Sequence, residues 1–306
     1  PSVKTSSGAD TGECGKFVSG YTWGAVRQAD IRIADETAAG LSVQVIGDPD
    51  VSYASTPATC SSAGTNLGTL ATLGAKGILG IGLFKQDCGS ACARAAVSGT
   101  YYACVVGACT ATAMPLAQQV SNPVAAFASN NNGVLLVLPA VGTAGATSIS
   151  GSLIFGVGTQ TNNAIASETV YLANSSGNFS TTYNGRTYSA SFIDSGSNGY
   201  FFNDSTLRSC SGNTGFYCPA SPQSLGAVNT AYDGSSSGTV SFNIVNASNL
   251  GSAISAAQIG GTLSASSSAA LGNTFDWGLP FFYGRRVFVV LEGSNTSRGS
   301  GPYWAY

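Results

Sequence analysis

Residues 191 to 202 read Ser-Phe-Ile-Asp-Ser-Gly-Ser-Asn-Gly-Tyr-Phe-Phe and set one carboxylate, Asp194, between an apolar run and a turn of small hydrogen-bonding residues. Phe192 and Ile193 alternate with small residues, as in a half-buried strand, and Ser195-Gly196-Ser197 form a tight turn that offers hydroxyls and backbone N–H groups. An acid delivered by a strand into such a turn is held in place, and its pKa is set by the donors around it. The chemistry open to it is general acid–base catalysis by two carboxyls, one ionised and one neutral. A single aspartate lacks the coupled partner and is nearly inert in that scheme.

Histidine is absent, which removes Ser-His-Asp and Cys-His nucleophile systems and any His-ligated zinc or haem. Carboxylate chemistry survives, and neither a metal nor a cofactor is expected. Charged residues are 8% of the chain and the net charge is -2, so no basic patch for nucleic acid is expected. Forty glycines among many Ser, Thr, Ala and Asn residues suit short strands joined by turns. Eight cysteines, at 14, 60, 88, 92, 104, 109, 210 and 218, are even in number and lack zinc-knuckle spacing. They favour disulfides and an oxidising, extracytoplasmic location: secreted, periplasmic or cell-surface. Connectivity is not readable from sequence; the close pairs favour Cys88–Cys92, Cys104–Cys109 and Cys210–Cys218, leaving Cys14 with Cys60. No run approaches the ~18 apolar residues of a membrane-spanning helix. The start at Pro1, without an apolar signal segment, reads as a mature or trimmed form.

The elements that must position Asp194 are short strands. Tyr183 to Tyr188, with Asn184-Gly185 at its centre, is a hairpin leading into the Asp194 strand. Strands are also expected over Phe17 to Ile46, 134–138, 152–155, 169–172, 239–245 and 286–291. Gly77 to Leu83 reads as a buried strand passing close to another backbone, and 86–112 as a cysteine-stapled insertion. A short helix is expected within 114–127, bounded by Pro115 and Pro123. Residues 1–16 read as an exposed polar start, and 246–273 as a low-complexity surface excursion.

The Asp194 turn resembles one half of the active site of a pepsin-like aspartic peptidase, and four further landmarks follow that family's order. Phe17-Val-Ser-Gly-Tyr-Thr-Trp-Gly24 with Ala25 to Ile33 resembles the flap hairpin and the strand after it. Gly77-Ile-Leu-Gly80 resembles the apolar-apolar-Gly element behind the first aspartate, and Gly151-Ser-Leu-Ile-Phe-Gly156 the strand that closes the first lobe. Asp276-Trp-Gly-Leu-Pro-Phe-Phe to Val290 resembles the matching element of the second lobe. The words Ser19 to Gly24, Gly156 to Asn163, Phe192 to Asn198, Asp276 to Pro280 and Gly301 to Tyr306 are similar to a bacterial family of largely uncharacterised, exported pepsin-like proteins.

That resemblance implies an all-β, bilobal fold with a cleft between the lobes. Residues 1–160 would form an incomplete N-terminal lobe, and 161–306 a C-terminal lobe carrying the Asp-Ser-Gly-Ser turn. It implies Asp194 as a catalytic residue, with Ser195, Gly196 and Ser197 supporting it. Phe17, Tyr21 and Trp23 would belong to a flap over a peptide or protein substrate. Two departures matter. Only 16 residues precede Phe17, leaving no room for the first aspartate's strand and turn. Asp10-Thr11-Gly12 has the letters but not the context, since Ser6 to Ala9 is not apolar and Glu13 follows. The partner aspartate is therefore expected on an upstream segment, either cut away or bound as a separate chain. The alternative is a catalytically inactive pepsin-fold binding or surface protein. Asp276 reads as a structural hydrogen-bonding residue, and Phe17 stands where the family's flap carries a tyrosine.

Overall fold

The computed structural model describes residues 1–212, 214–263 and 272–306. The chain is all-β, with only short helical turns between strands. It divides into two compact units, Pro1–Asn131 and Asn132–Tyr306.

The first unit is built on one five-stranded sheet. Strands β1 (Asp10–Phe17), β2 (Gly20–Ile33), β3 (Glu36–Ile46), β4 (Tyr101–Val105) and β5 (Ala108–Ala111) order as β3-β2-β1-β4-β5. The segment expected as an exposed start is thus the sheet's central strand, hydrogen-bonded to a neighbour on each side. Its polar, glycine-rich sequence hides this role. A Cβ on Gly12 would lie 2.6 Å from the Trp23 ring, so the gap in apolar patterning is filled by a neighbour's side chain. The residues expected as an insertion likewise supply β4, whose Tyr101 and Tyr102 are buried on opposite faces. Tyr102 joins Cys14, Tyr21, Trp23 and Cys60 in one core. Tyr101 joins Val3, Val26, Cys92 and Met114 in another.

Two further expectations are corrected in this unit. Gly77 to Gly80 is not a buried strand but irregular chain, with Ile78 55% and Leu79 41% exposed. Residues 114–127 form two 3-10 turns, Leu116–Gln118 and Pro123–Ala126, instead of an α-helix.

The second unit holds two larger sheets, besides a two-stranded ribbon of β17 (Asn295–Thr296) and β18 (Gly299–Ser300). One is five-stranded, ordered β7-β6-β16-β19-β8, from β6 (Gly133–Val137), β7 (Ser152–Phe155), β8 (Val170–Leu172), β16 (Arg286–Val290) and β19 (Tyr303–Ala305). Because β7 pairs with β6 in this sheet, the element expected to close the first lobe packs with the second unit by contact. The other sheet is seven-stranded, ordered β13-β12-β9-β10-β15-β11-β14. Its members are β9 (Phe179–Tyr183), β10 (Arg186–Ile193), β11 (Tyr200–Phe201), β12 (Gln223–Thr230), β13 (Ser237–Ile244), β14 (Gly260–Gly261) and β15 (Asp276–Trp277). The β9–β10 hairpin turns at Asn184-Gly185 with φ of 47° and 75°, the positive angles that a two-residue type I′ turn requires.

Residues 256, 257, 260 and 261 are buried, and Gly260–Gly261 pairs with β11, so this part of the expected surface excursion is structural. Residues 264–271 of that excursion lie outside the described residues. Four disulfides form, Cys14–Cys60, Cys88–Cys92, Cys104–Cys109 and Cys210–Cys218, the pairing favoured from spacing. Among the described residues no helix is long and apolar enough to cross a membrane.

Candidate active site

Strand β10 brings Asp194 to the end of the seven-stranded sheet. Its last residues run parallel to β15, Phe192 beside Asp276 and Ile193 beside Trp277. The Asp194 N–H donates to Trp277 O at 3.0 Å, so the ladder continues through the acid itself. Behind it stands an aromatic platform. The Trp277 ring stacks on Phe275 at 4.5 Å and meets Tyr200, Phe242 and Phe281 edge-on. The Trp277 indole N–H donates to Thr181 Oγ1 at 3.0 Å, so the large ring is buried without an orphaned donor.

The turn then closes on the carboxylate. Gly196 N–H donates to Asp194 Oδ1 at 2.7 Å and the Ser197 hydroxyl donates to Oδ2 at 2.8 Å. Ser197 N–H returns to Asp194 O at 3.3 Å, and Leu279 N–H donates to Ser197 O at 2.7 Å. Each carboxylate oxygen thus has a donor while the side chain stays half-buried, open to solvent on one side. Ser195 is exposed and belongs to the turn without a contact to the carboxylate. Gly278 sets how closely the next segment approaches. A Cβ there would fall 2.0 Å from Gly199 O and 2.7 Å from Ser197 O, distances only glycine avoids.

Asp276 is the residue that the sequence reading left outside the site. It is only 5% exposed, and its Oδ1 has no hydrogen-bond partner among the described residues. Its pKa is pushed up to about 8, first by burial and then by the neighbouring Asp194 charge, while hydrogen bonding with Ser197 lowers it. Its place in the Asp-Trp-Gly element was the available signal. An element that pairs with the Asp194 strand must bring its first residue to within one strand spacing of Phe192.

The expected flap residues lie on the β1–β2 hairpin of the first unit, which turns at Val18-Ser19. Phe17 at its tip is 41% exposed. Tyr21 and Trp23 are buried; the Trp23 indole N–H donates to Tyr53 O at 3.0 Å and its ring meets Tyr102 edge-on at 5.3 Å. Asp10 sits in the regular β1 ladder, ion-paired to Lys4 at 2.7 Å, in no turn resembling that of Asp194.

A second group of acids lies in the same unit. Glu13 is buried, and burial followed by the Asp87 charge holds its pKa well above the usual carboxylate range. Asp87 is exposed as a residue, yet its carboxyl accepts from the buried Tyr101 hydroxyl at 2.6 Å. Burial of that carboxyl raises its pKa to about 6. Among the described residues no cluster of His, Cys, Asp and Glu is arranged to hold a metal ion.

A family model described as "Protein of unknown function (DUF3443)" matches residues 1–306. Among solved structures, the crystal structure of an aspartic proteinase from Irpex lacteus is similar at 15% identity and a TM-score of 0.49, covering 99% of this chain and 82% of that one. No curated protein matches the chain.

Proposed function

This chain belongs to the family of unknown function DUF3443, and we propose that it is an exported aspartic endopeptidase of the pepsin type, with Asp194 as one of its two catalytic carboxyls. The observation that carries the reading is the Asp194 turn. A strand end holds the acid, Gly196 and Ser197 give each of its oxygens a donor, and one side stays open to solvent. An ionised carboxylate so held is equipped to take a proton from a bound water as that water attacks a peptide carbonyl. A neutral second carboxyl protonates the carbonyl oxygen, and the pair shares its proton across the reaction.

The second catalytic carboxyl is assigned to an Asp-Thr/Ser-Gly turn on a separate segment that remains bound after processing. The exposed Ile78 and Leu79 leave apolar surface in the first unit that suits such a partner. Phe17, at the exposed hairpin tip, is the flap residue that would touch a peptide, with Tyr21 and Trp23 as the packed base of the flap. The lobe partition at 160/161 belongs to this reading. Four disulfides support folding in an oxidising compartment outside the cytoplasm.

The test is cleavage of a denatured protein at acid pH by the protein together with its upstream segment, with and without a transition-state inhibitor of aspartic peptidases. Cleavage that the inhibitor blocks and that Asp194→Asn abolishes is expected. Cleavage surviving Asp194→Asn overturns the assignment. A second reading, a pepsin-fold binding protein, is favoured by the burial of Asp276 on the neighbouring strand β15, whose carboxyl therefore does not face solvent alongside Asp194. Peptide binding without any cleavage is the outcome that selects it.

A further inference from the structure

One edge of strand β2 stays open in the first unit. β2 runs to Ile33, but its pairing with β1 ends where Gly12 meets Ala25. Residues 1–3 take over from there as an added strand. Val3 N–H donates to Val26 O at 3.0 Å, Gln28 N–H donates to Pro1 O at 2.8 Å, and Ser2 lies antiparallel opposite Arg27. The Arg27 guanidinium also donates to the Ser2 hydroxyl. Beyond Gln28 this side of β2 has no backbone partner among the described residues, while β3 covers the other side as far as the Ile33–Glu36 pair.

We propose that β2 residues 29–33 form a docking edge for an extended peptide strand that runs antiparallel to β2, in line with residues 1–3. The strand carries a cationic side chain opposite Asp30 and an anionic one opposite Arg32. The site stands on the geometry of this unit alone. That its occupant is the separate segment carrying the second catalytic aspartate rests on the peptidase reading.

Backbone groups of an antiparallel strand point alternately to its two sides. Gln28 donates toward Pro1, so Asp30 and Arg32 direct their N–H and C=O groups to that same side. The hairpin end agrees. Ile33 and Glu36 close a two-residue turn, so Ile33 and Ile31 bond toward β3. The irregularity between Ala29 and Ile31 puts its extra residue on β3, where Ala39 and Gly40 both face Asp30, and the alternation along β2 is kept. A strand added here gains main-chain hydrogen bonds from Asp30 and Arg32. Side chains set its chemistry. Ile31 and Ile33 are half-buried on one face of β2, and Asp30 and Arg32 are exposed on the other. Residues directly opposite each other share a face, so the occupant sets apolar side chains against the isoleucines and charges against the acid and the base. Charges on an edge usually deter pairing. These two differ in sign, so they reject a strand with the wrong order of charges and accept one with the matching order. Asp30 Oδ1 accepts the Gly40 N–H at 2.9 Å, which holds that carboxylate in place.

The experiment is amide hydrogen exchange, read by NMR, on the full chain extended ahead of Pro1 by Val-Glu-Val-Lys-Thr. In the proposed register its Lys lies opposite Asp30, its Glu opposite Arg32, and its valines opposite Ile31 and Ile33. The Thr precedes a proline and is held extended. The Asp30 and Arg32 amides are expected to exchange about tenfold slower, or more, than in the unextended chain. With Lys and Glu interchanged in the extension, protection is expected to be about fivefold weaker, because like charges then stand opposite each other. Unchanged exchange at Asp30 and Arg32 overturns the proposal, and equal protection by the two extensions overturns its order of charges. Folding is checked at the buried Val26 and Tyr101 amides, which should exchange alike in all the chains. For an extended chain that fails this check, the free peptide is titrated to millimolar concentration into the unextended protein; unmoved Asp30 and Arg32 amide resonances then overturn the proposal. Protection at this edge in a protein that cleaves nothing, even with its upstream segment, sinks the peptidase reading and keeps this one. Cleavage without protection does the reverse.

Discussion

Asp276→Asn should change how stability depends on pH, in a direction fixed by the structure. The folded-state pKa of Asp276 is raised from the ordinary 3.8 to about 8, mainly by burial. The native state therefore binds a proton that the unfolded chain releases above the ordinary carboxylate range. By linkage, the stability held by the neutral acid is fully present below the unfolded pKa and is lost as pH rises toward the folded one. Each pKa unit is worth about 1.36 kcal/mol. At about pH 7.5 the wild type has given up roughly 5 kcal/mol at this one site, relative to acid pH. That is large against the 5–15 kcal/mol by which domains of this kind are typically stable. The amide of Asp276→Asn cannot ionise and carries no such dependence. Urea or thermal unfolding of both proteins near pH 4.5 and pH 7.5 is the assay. The variant is expected to match the wild type closely at acid pH and to exceed its stability by several kcal/mol at the higher pH. Glu13 and Asp87 titrate too, but they lie in the other unit and cancel in the difference between the two proteins. Parallel pH dependences in wild type and variant would refute a neutral Asp276.

Further outcomes follow from packing and covalent constraint. Gly278→Ala forces a Cβ against Gly199 O and Ser197 O, both backbone atoms; a loss of roughly 2–4 kcal/mol by denaturant unfolding is expected, with the Asp194 turn displaced. Trp23→Phe removes the donor to the buried Tyr53 carbonyl and should cost about 1–3 kcal/mol. Phe17→Ala at the exposed hairpin tip should stay within about 0.5 kcal/mol, so a drop in peptide cleavage by that variant reports contact with substrate. Replacing the Cys14–Cys60 pair by alanines releases a loop of sequence separation 46 and should cost about 4 kcal/mol. Replacing Cys210–Cys218, separation 8, should cost about 2.5 kcal/mol. The order of the two melting temperatures checks this.

Much of the second unit was legible because local chemistry coincided with tertiary need. Asn184-Gly185 can turn only where positive φ is tolerated, and it does so at the hairpin before Asp194. The Asp-Ser-Gly-Ser turn forms as its letters suggest, since Gly196 and Ser197 are near enough in sequence to reach the carboxylate. Cys210 and Cys218, eight residues apart, closed as their spacing favoured, as did the pairs four and five apart in the first unit. The first unit was harder. β1 carries no alternating pattern because Gly12 makes room for Trp23, and Gly77 to Gly80 has the apolar letters of a buried strand without neighbours to bury it.

The sequence by itself therefore determined the β class, the absence of histidine chemistry, the oxidised cysteines and the Asp194 turn. All of these rest on composition or on residues within a few positions of one another. Only the tertiary structure decided that Asp10 to Phe17 is a central strand, that Glu13 is buried in reach of the Asp87 charge, and that Asp276 stands beside Phe192 on the strand that carries Asp194. Those facts depend on which distant strands pair and in what register. A shift of one residue in the β10–β15 pairing would turn Asp276 to the other face of the sheet, and no local pattern in either segment records that choice.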